Sequence, residues 1–268
     1  MNLPLFLVDA FTDVPFKGNP AGVCILEREI DDALKLKIAA EVGASETAYY
    51  NTATGNLRWF TPKLEINLCG HATLATVCVL RHTQRLQEDQ EICFATRSGE
   101  LRAKASLGQI QMDFPLAQEI AEIPPRADML TRLGMQAGEV LLYAKSGTKT
   151  MIVVRDEAIV RRLTPDFAGM LKLDGFGVIV TAAASMPGYD FVSRYFHPWA
   201  GVNEDPVTGS AHCVLAKYWG RLLAKTHMTG YQVSARGGLV GVQILNDSRV
   251  LLIGSACITI QGQIAVDA

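Results

Sequence analysis

Two carboxylates, one imidazole and a group of short polar side chains are the residues of this chain whose types and settings suit proton transfer. Glu46 lies in Ser45-Glu46-Thr47, just ahead of Ala48-Tyr49-Tyr50. Asp205 lies in Glu204-Asp205-Pro206-Val207-Thr208-Gly209-Ser210, and His71 in Cys69-Gly70-His71-Ala72-Thr73. Carboxylates and imidazoles are the usual carriers in general acid–base catalysis once their surroundings bring the pKa near the working pH. Gly70 and Gly209 each read as the start of a helix. Such a start presents unbonded backbone N–H groups and the positive end of the helix dipole, which together bind carboxylate or phosphate. The polar side chains at these starts are His71, Thr73, Thr208, Ser210 and His212, and two starts facing one cleft would hold an anion from both sides. Each residue also has a plain structural reading: Asp205 as a turn or capping residue, His71 as a helix-start residue bonded to backbone, Glu46 as a surface residue. His212 and Cys213 read as core residues of the second helix.

The elements that must position these residues form a weak internal repeat. Arg58-Trp59-Phe60-Thr61-Pro62 resembles Arg194-Tyr195-Phe196-His197-Pro198, and each is followed by a glycine-started helix, expected to run to about His82 and about Leu223. Downstream, Ser98-Gly99-Glu100-Leu101 answers Arg236-Gly237-Gly238-Leu239. Strands are expected at 91–96, 100–105 and 109–114, and again at 231–235, 239–245 and 249–253, parted by turn residues as hairpins require. The first helix, from His71 to His82, is apolar nearly all round, so other elements must surround it. Residues 31–42 place Leu34, Ile38 and Val42 on one face, with Asp31 or Asp32 as N-cap and Gly43 as the close, and read as a surface helix. The expected fold is α+β, with two pseudo-symmetric halves, each a curled and mostly antiparallel sheet around a central helix. The halves are 1–115 and 116–268, joined near Pro115 to Pro125, with the C-terminal strand available to complete the first.

A chain of 268 residues can bury a substantial core. With 49% hydrophobic and 19% charged residues and a net charge of -2, the composition fits a globular protein and gives no basic excess for nucleic acid. The apolar start, Met1 to Asp9, lacks a basic flank and is expected to be a strand rather than a signal peptide. No apolar run reaches membrane-span length. Six scattered cysteines without a Cys-x-x-Cys pair point to reduced thiols and a cytoplasmic setting. The sequence contains no G-x-G-x-x-G, Walker or His-Glu-x-x-His motif, and neither cofactor nor metal is expected.

Asp9-Ala-Phe-Thr12, Gly18-Asn-Pro-Ala21, Ser45-Glu-Thr47, Arg58-Trp-Phe-Thr-Pro62, Cys69-Gly-His-Ala-Thr-Leu-Ala75 and Asp205-Pro-Val-Thr-Gly-Ser-Ala211 occur in this order over nearly the whole chain. Together they resemble the phenazine-biosynthesis-F-like isomerase and epimerase family. The resemblance implies the diaminopimelate-epimerase-like fold, an isomerase without cofactor, and a homodimer. It implies Glu46 as the acid/base, with His71 and Asp205 lining the reacting part of the substrate. Gly70, Gly209 and Ser210 match the helix-start anion site, and Thr73, Thr208, Ser45 and Asn19 stand beside it as substrate contacts. Related amino-acid epimerases carry a cysteine at each helix start, whereas this chain has Cys69 and Thr208. A threonine hydroxyl is too weak an acid to replace a thiolate. The expected reaction is therefore a proton shift by one carboxylate on a small, carboxylate-bearing anionic metabolite. Burial beside Tyr49, Tyr50 or Trp59 is expected to raise the Glu46 pKa. The alternatives are a catalytically silent binding or scaffold protein of the same fold, and a Cys69 thiol enzyme with His71 as base. The latter is disfavoured because side chains two residues apart at a helix start are expected to diverge.

Overall fold

The computed structural model describes residues 1–266. The chain opens with β1 (Asn2–Ala10), β2 (Asn19–Leu26), α1 (Asp32–Val42), β3 (Glu46–Asn51), β4 (Leu57–Phe60), β5 (Glu65–Ile66) and α2 (Gly70–His82). The meander β6 (Glu91–Thr96), β7 (Gly99–Ser106) and β8 (Gln109–Pro115) follows. Next come β9 (Ala121–Glu122), α3 (Ala127–Leu133), β10 (Val140–Ser146), β11 (Lys149–Val154), α4 (Glu157–Arg162), α5 (Phe167–Met170), β12 (Gly177–Ala183), β13 (Phe191–His197) and β14 (Val202–Asp205). The last elements are α6 (Gly209–Leu223), β15 (His227–Gln232), β16 (Gly238–Ile244), β17 (Arg249–Gly254) and β18 (Ala256–Ala265). The chain divides into two compact units, one of Met1–Phe114 together with the chain from Leu251 on, the other Pro115–Val250. The second unit thus stops at Val250 instead of running to 268, because β18 pairs antiparallel with β1 from Ala10↔Ala256 to Asn2↔Ala265.

The repeat extends to topology. In the first unit the strand order is β18-β1-β2-β3-β4-β5, and in the second it is β9-β10-β11-β12-β13 with β14 on the outer side of β13. Only the third junction in each series is parallel, β2 with β3 and β11 with β12. Arg58 holds Glu65 of β5 by Nε and one terminal nitrogen at 2.8 and 2.6 Å, and Arg194 holds Glu204 of β14 the same way at 2.7 and 2.8 Å. Each guanidinium also lies over the phenylalanine two residues on, 5.1 Å from Phe60 and 4.9 Å from Phe196. These forked pairs tie short strands to the sheet just before the two long helices begin.

α2 packs against β1, β2, β3, β7 and β18, and residues 71–77 are all buried, as a helix without a polar face requires. α6 packs on β15 and β16, and its Trp219 stacks on Phe191 and donates from Nε1 to Thr181 Oγ1 at 3.0 Å. α1 has Asp31 as N-cap and Gly43 closing it at φ 67°. It departs from a simple surface helix at Lys35, which is 1% exposed with its ammonium on Glu29, Asp32 and the Ile30 carbonyl. Three acceptors make that buried charge tolerable. β15 runs over His227–Gln232 rather than 231–235, because Ser234 turns the chain by donating to the Pro206 carbonyl at 2.8 Å and accepting from Gly237 N at 3.1 Å. No helix among the described residues is long and apolar enough to cross a membrane.

Candidate active site

Glu46 opens β3 on the sheet face that meets α2. Its Oε2 lies 3.2 Å from His71 Nε2, with both side chains largely buried. Ser45 Oγ stands 3.3 Å from the same nitrogen, and its hydroxyl is within reach of Asn19 Oδ1 at 3.3 Å and the Pro20 carbonyl at 3.4 Å. Asn19 is fully buried. A proton on His71 Nε2 therefore has the Glu46 carboxylate and the Ser45 oxygen before it. Burial works against the imidazolium, but Cys69 and Glu46 outweigh it and hold His71 well above its usual titration range. Burial pushes the Cys69 thiol up, against the pull of His71. His71 thus sits between a sulfur and a carboxylate, both of which favour its charged form.

Cys69 and His71 do not diverge. Sγ is 3.5 Å from Nδ1 and 4.0 Å from Nε2. Nearly equal distances to both nitrogens place the sulfur alongside the ring, in line with neither nitrogen. Glu46, Cys69 and His71 each bring a donor atom within 4.8 Å of the others, a spacing that a metal ion could share. Burial and this placement, rather than divergence, argue against a thiol nucleophile.

At the start of α2 the N-cap Cys69 makes no side-chain cap bond, which leaves the first-turn N–H groups from Gly70 without a capping side chain. Thr73 is fully buried and donates its hydroxyl to the Cys69 carbonyl at 2.6 Å. That bond ties the helix to its own first turn, so Thr73 serves packing rather than substrate contact. Tyr49 lies on the opposite face of β3, donating to the Lys35 carbonyl at 2.7 Å and packing edge-on against Phe60. It therefore packs away from Glu46, not beside it.

In the second unit Thr208 is the N-cap of α6 and likewise makes no side-chain cap bond. Its hydroxyl instead donates to Asp205 Oδ2 at 2.5 Å. Gln232, on the inward face of β15, latches the turn: Oε1 accepts from Thr208 N at 2.9 Å, and Nε2 donates to the Asp205 carbonyl at 2.6 Å and to Thr208 Oγ1 at 3.2 Å. Gly209 is buried and Ser210 exposed. His212 is fully buried with Nδ1 2.8 Å from the Thr208 carbonyl, and burial lowers its pKa to about 4. It is a neutral core residue that donates from Nδ1.

Residues 8–262 match the family described as phenazine biosynthesis-like protein. The chain belongs to that family. It is 40% identical to an uncharacterized isomerase of Halalkalibacterium halodurans, over 98% of this chain and 99% of that one. It is 37% identical to the human phenazine biosynthesis-like domain-containing protein, again over 98% and 99%. A crystal structure of a phenazine biosynthesis protein of this family from Enterococcus faecalis superposes with a TM-score of 0.92 at 39% identity, covering 99% of this chain and all of that one. This member of the phenazine biosynthesis-like family thus has the diaminopimelate-epimerase-like fold and is an enzyme of the isomerase and epimerase type.

Among the expected site residues, the structure brings together Asn19, Ser45, Glu46, His71 and the Gly70 helix start within the first unit. Asp205, Thr208 and the Gly209 helix start come together within the second. Gln232 was missed by sequence reasoning. Its signal was alternation, since Met228, Gly230 and Gln232 share the buried side of β15.

Proposed function

We propose that this enzyme shifts a proton between carbons of a small carboxylate-bearing metabolite, with Glu46 carrying the proton. The observation that carries the reading is the 3.2 Å contact of Glu46 with a buried His71 at the start of an uncapped helix. A cationic imidazole favours the ionised carboxylate, which is the base form. Glu46 takes a proton from a carbon next to the substrate's unsaturated group, and the electron pair delocalises as an enolate-like anion. The N–H groups from Gly70 stabilise that charge, and the Glu46 acid returns the proton to a second carbon on the same face. Asp205, Gly209 and Ser210 join the proposal on the family resemblance. Thr208 enters it as the residue that fixes Asp205, through the 2.5 Å hydroxyl bond. The experiment is proton NMR in deuterated buffer across a panel of small unsaturated and hydroxy carboxylates. Glu46-dependent exchange of a carbon-bound proton is the expected result, and a panel with no exchange at any carbon would count against the reading.

A further inference from the structure

The chain has three tryptophans, and two have satisfied indoles. Trp199 Nε1 donates to the Leu173 carbonyl at 2.9 Å and Trp219 Nε1 to Thr181 Oγ1 at 3.0 Å. Trp59 is 1% exposed, yet among the described residues its Nε1 has no hydrogen-bond partner. A buried N–H without an acceptor costs on the order of 1–3 kcal/mol, and native structures rarely keep one without a use.

The register shows what lies beside it. Trp59 of β4 is paired with Ala48 of β3, two residues beyond Glu46 and therefore on the same face. Phe60 and Tyr49 pack together on the other face. Trp59 is thus the diagonal cross-strand neighbour of Glu46, a separation that an indole and a glutamate side chain can bridge. The internal repeat supports the direction. Tyr195 occupies the place of Trp59 in the second unit, and its hydroxyl lies 2.1 Å from where a Cβ on Gly177, the first residue of β12, would stand. In the second unit the ring thus leans toward the first residue of the neighbouring strand, and the matching residue of the first unit is Glu46.

We infer that Trp59 is a positioning residue whose indole N–H receives the Glu46 carboxylate when it turns from His71 toward substrate. The inference rests on Glu46 as the proton carrier. His71 of α2 and the N-cap Cys69 are titratable groups that already act on that carboxylate. An N–H donated to a carboxylate fixes which oxygen is free to take a proton, and a hydrogen bond to a charged group of this kind corresponds to roughly 10-fold to 100-fold in rate.

The test is a proton–nitrogen correlation spectrum of the three indole groups, with Trp59 assigned through Trp59→Phe. With acetate added as the substrate-side anion, the Trp59 signal is expected to move in wild type but not in Glu46→Gln, while those of Trp199 and Trp219 stay in place, which also reports an intact fold. In the exchange assay, Trp59→Phe is expected to slow turnover by on the order of 10-fold to 100-fold. A Trp59 signal that acetate leaves unmoved in wild type overturns the inference. So does a signal that acetate moves equally in wild type and Glu46→Gln, since the N–H then belongs to the ligand. If no carboxylate exchanges, the proton-shift reading fails by itself, while the spectral comparison still decides whether Trp59 serves Glu46.

Discussion

β3 begins with Glu46, paired with Ala21 of β2, and β12 begins with Gly177, paired in the same parallel register with Lys149 of β11. The two positions match through the neighbouring strands as well, since Thr47 pairs with Phe60 and Val178 with Phe196. The first unit keeps a carboxylate there. The second has no side chain, and Tyr195 fills the space, with its hydroxyl 3.0 Å from His197 Nδ1. The helix starts differ in the same sense: Cys69 and His71 in one, Thr208 and Ser210 in the other. At this strand position one unit holds a carboxylate and its counterpart a glycine. The two units thus share a strand framework while only the first carries a carboxylate at this position, an asymmetry that suits the one-base reaction proposed above.

The sharpest way to break this comparison is Glu46→Gln, which keeps the shape and removes the proton carrier. Exchange is expected to fall by about 10²-fold to 10⁴-fold with the melting temperature little changed. Near-normal turnover in the variant would move the chemistry elsewhere.

The two buried histidines should show opposite pH linkage. His212 has its folded pKa lowered to about 4, so its contribution to stability is whole above about 6.5 and is lost as pH falls through about 4. The loss approaches about 3 kcal/mol, and urea unfolding of wild type beside His212→Gln at neutral and acid pH should show it. His71 is shifted upward, so its stabilisation is whole below about 6.5 and fades as pH rises through its folded value. The melting-temperature gap between wild type and His71→Gln should accordingly be widest in mild acid and close toward alkaline pH.

Gly177→Ala tests whether the second unit has given up this position. The new Cβ would stand 2.1 Å from the Tyr195 hydroxyl, and a cost of about 1–3 kcal/mol in chemical denaturation is expected. A neutral result would mean that Tyr195 gives way freely and the space is not committed. The smallest effect should come from Cys69→Ser, less than about 10-fold in exchange, because a protonated thiol beside the ring is not needed for the proton shift. Loss of turnover in Cys69→Ser with Glu46→Gln active would reverse the assignment of roles.

Much of this was legible in the chain because local rules carry it. The all-round apolar segment after Gly70 requires an enclosed helix, and the pair Arg58-Trp59-Phe60 and Arg194-Tyr195-Phe196 marks equivalent strands. What was hidden depends on register and on partners distant in sequence. Glu65 and Glu204 look like surface acids until β5 and β14 lie beside Arg58 and Arg194. Lys35 looks exposed until Glu29, Asp32 and the Ile30 carbonyl surround its ammonium. The closeness of Cys69 to His71 depends on side-chain torsions that spacing along a helix does not specify. Gly177 carries no chemistry of its own, so only strand pairing reveals it as the counterpart of Glu46.

The pairing of β18 with β1 also bears on how the chain matures on the ribosome. The sheet that carries Glu46 is completed by pairing 256–265 with 2–10, two segments far apart along the sequence. Contacts this remote along the chain form late, because the intervening loop must be closed before they bring any gain. The unit of Pro115–Val250 has all of its residues translated before that strand emerges. The unit that carries Glu46 therefore keeps one side of β1 unpaired until β18 has emerged, after every residue of the Pro115–Val250 unit.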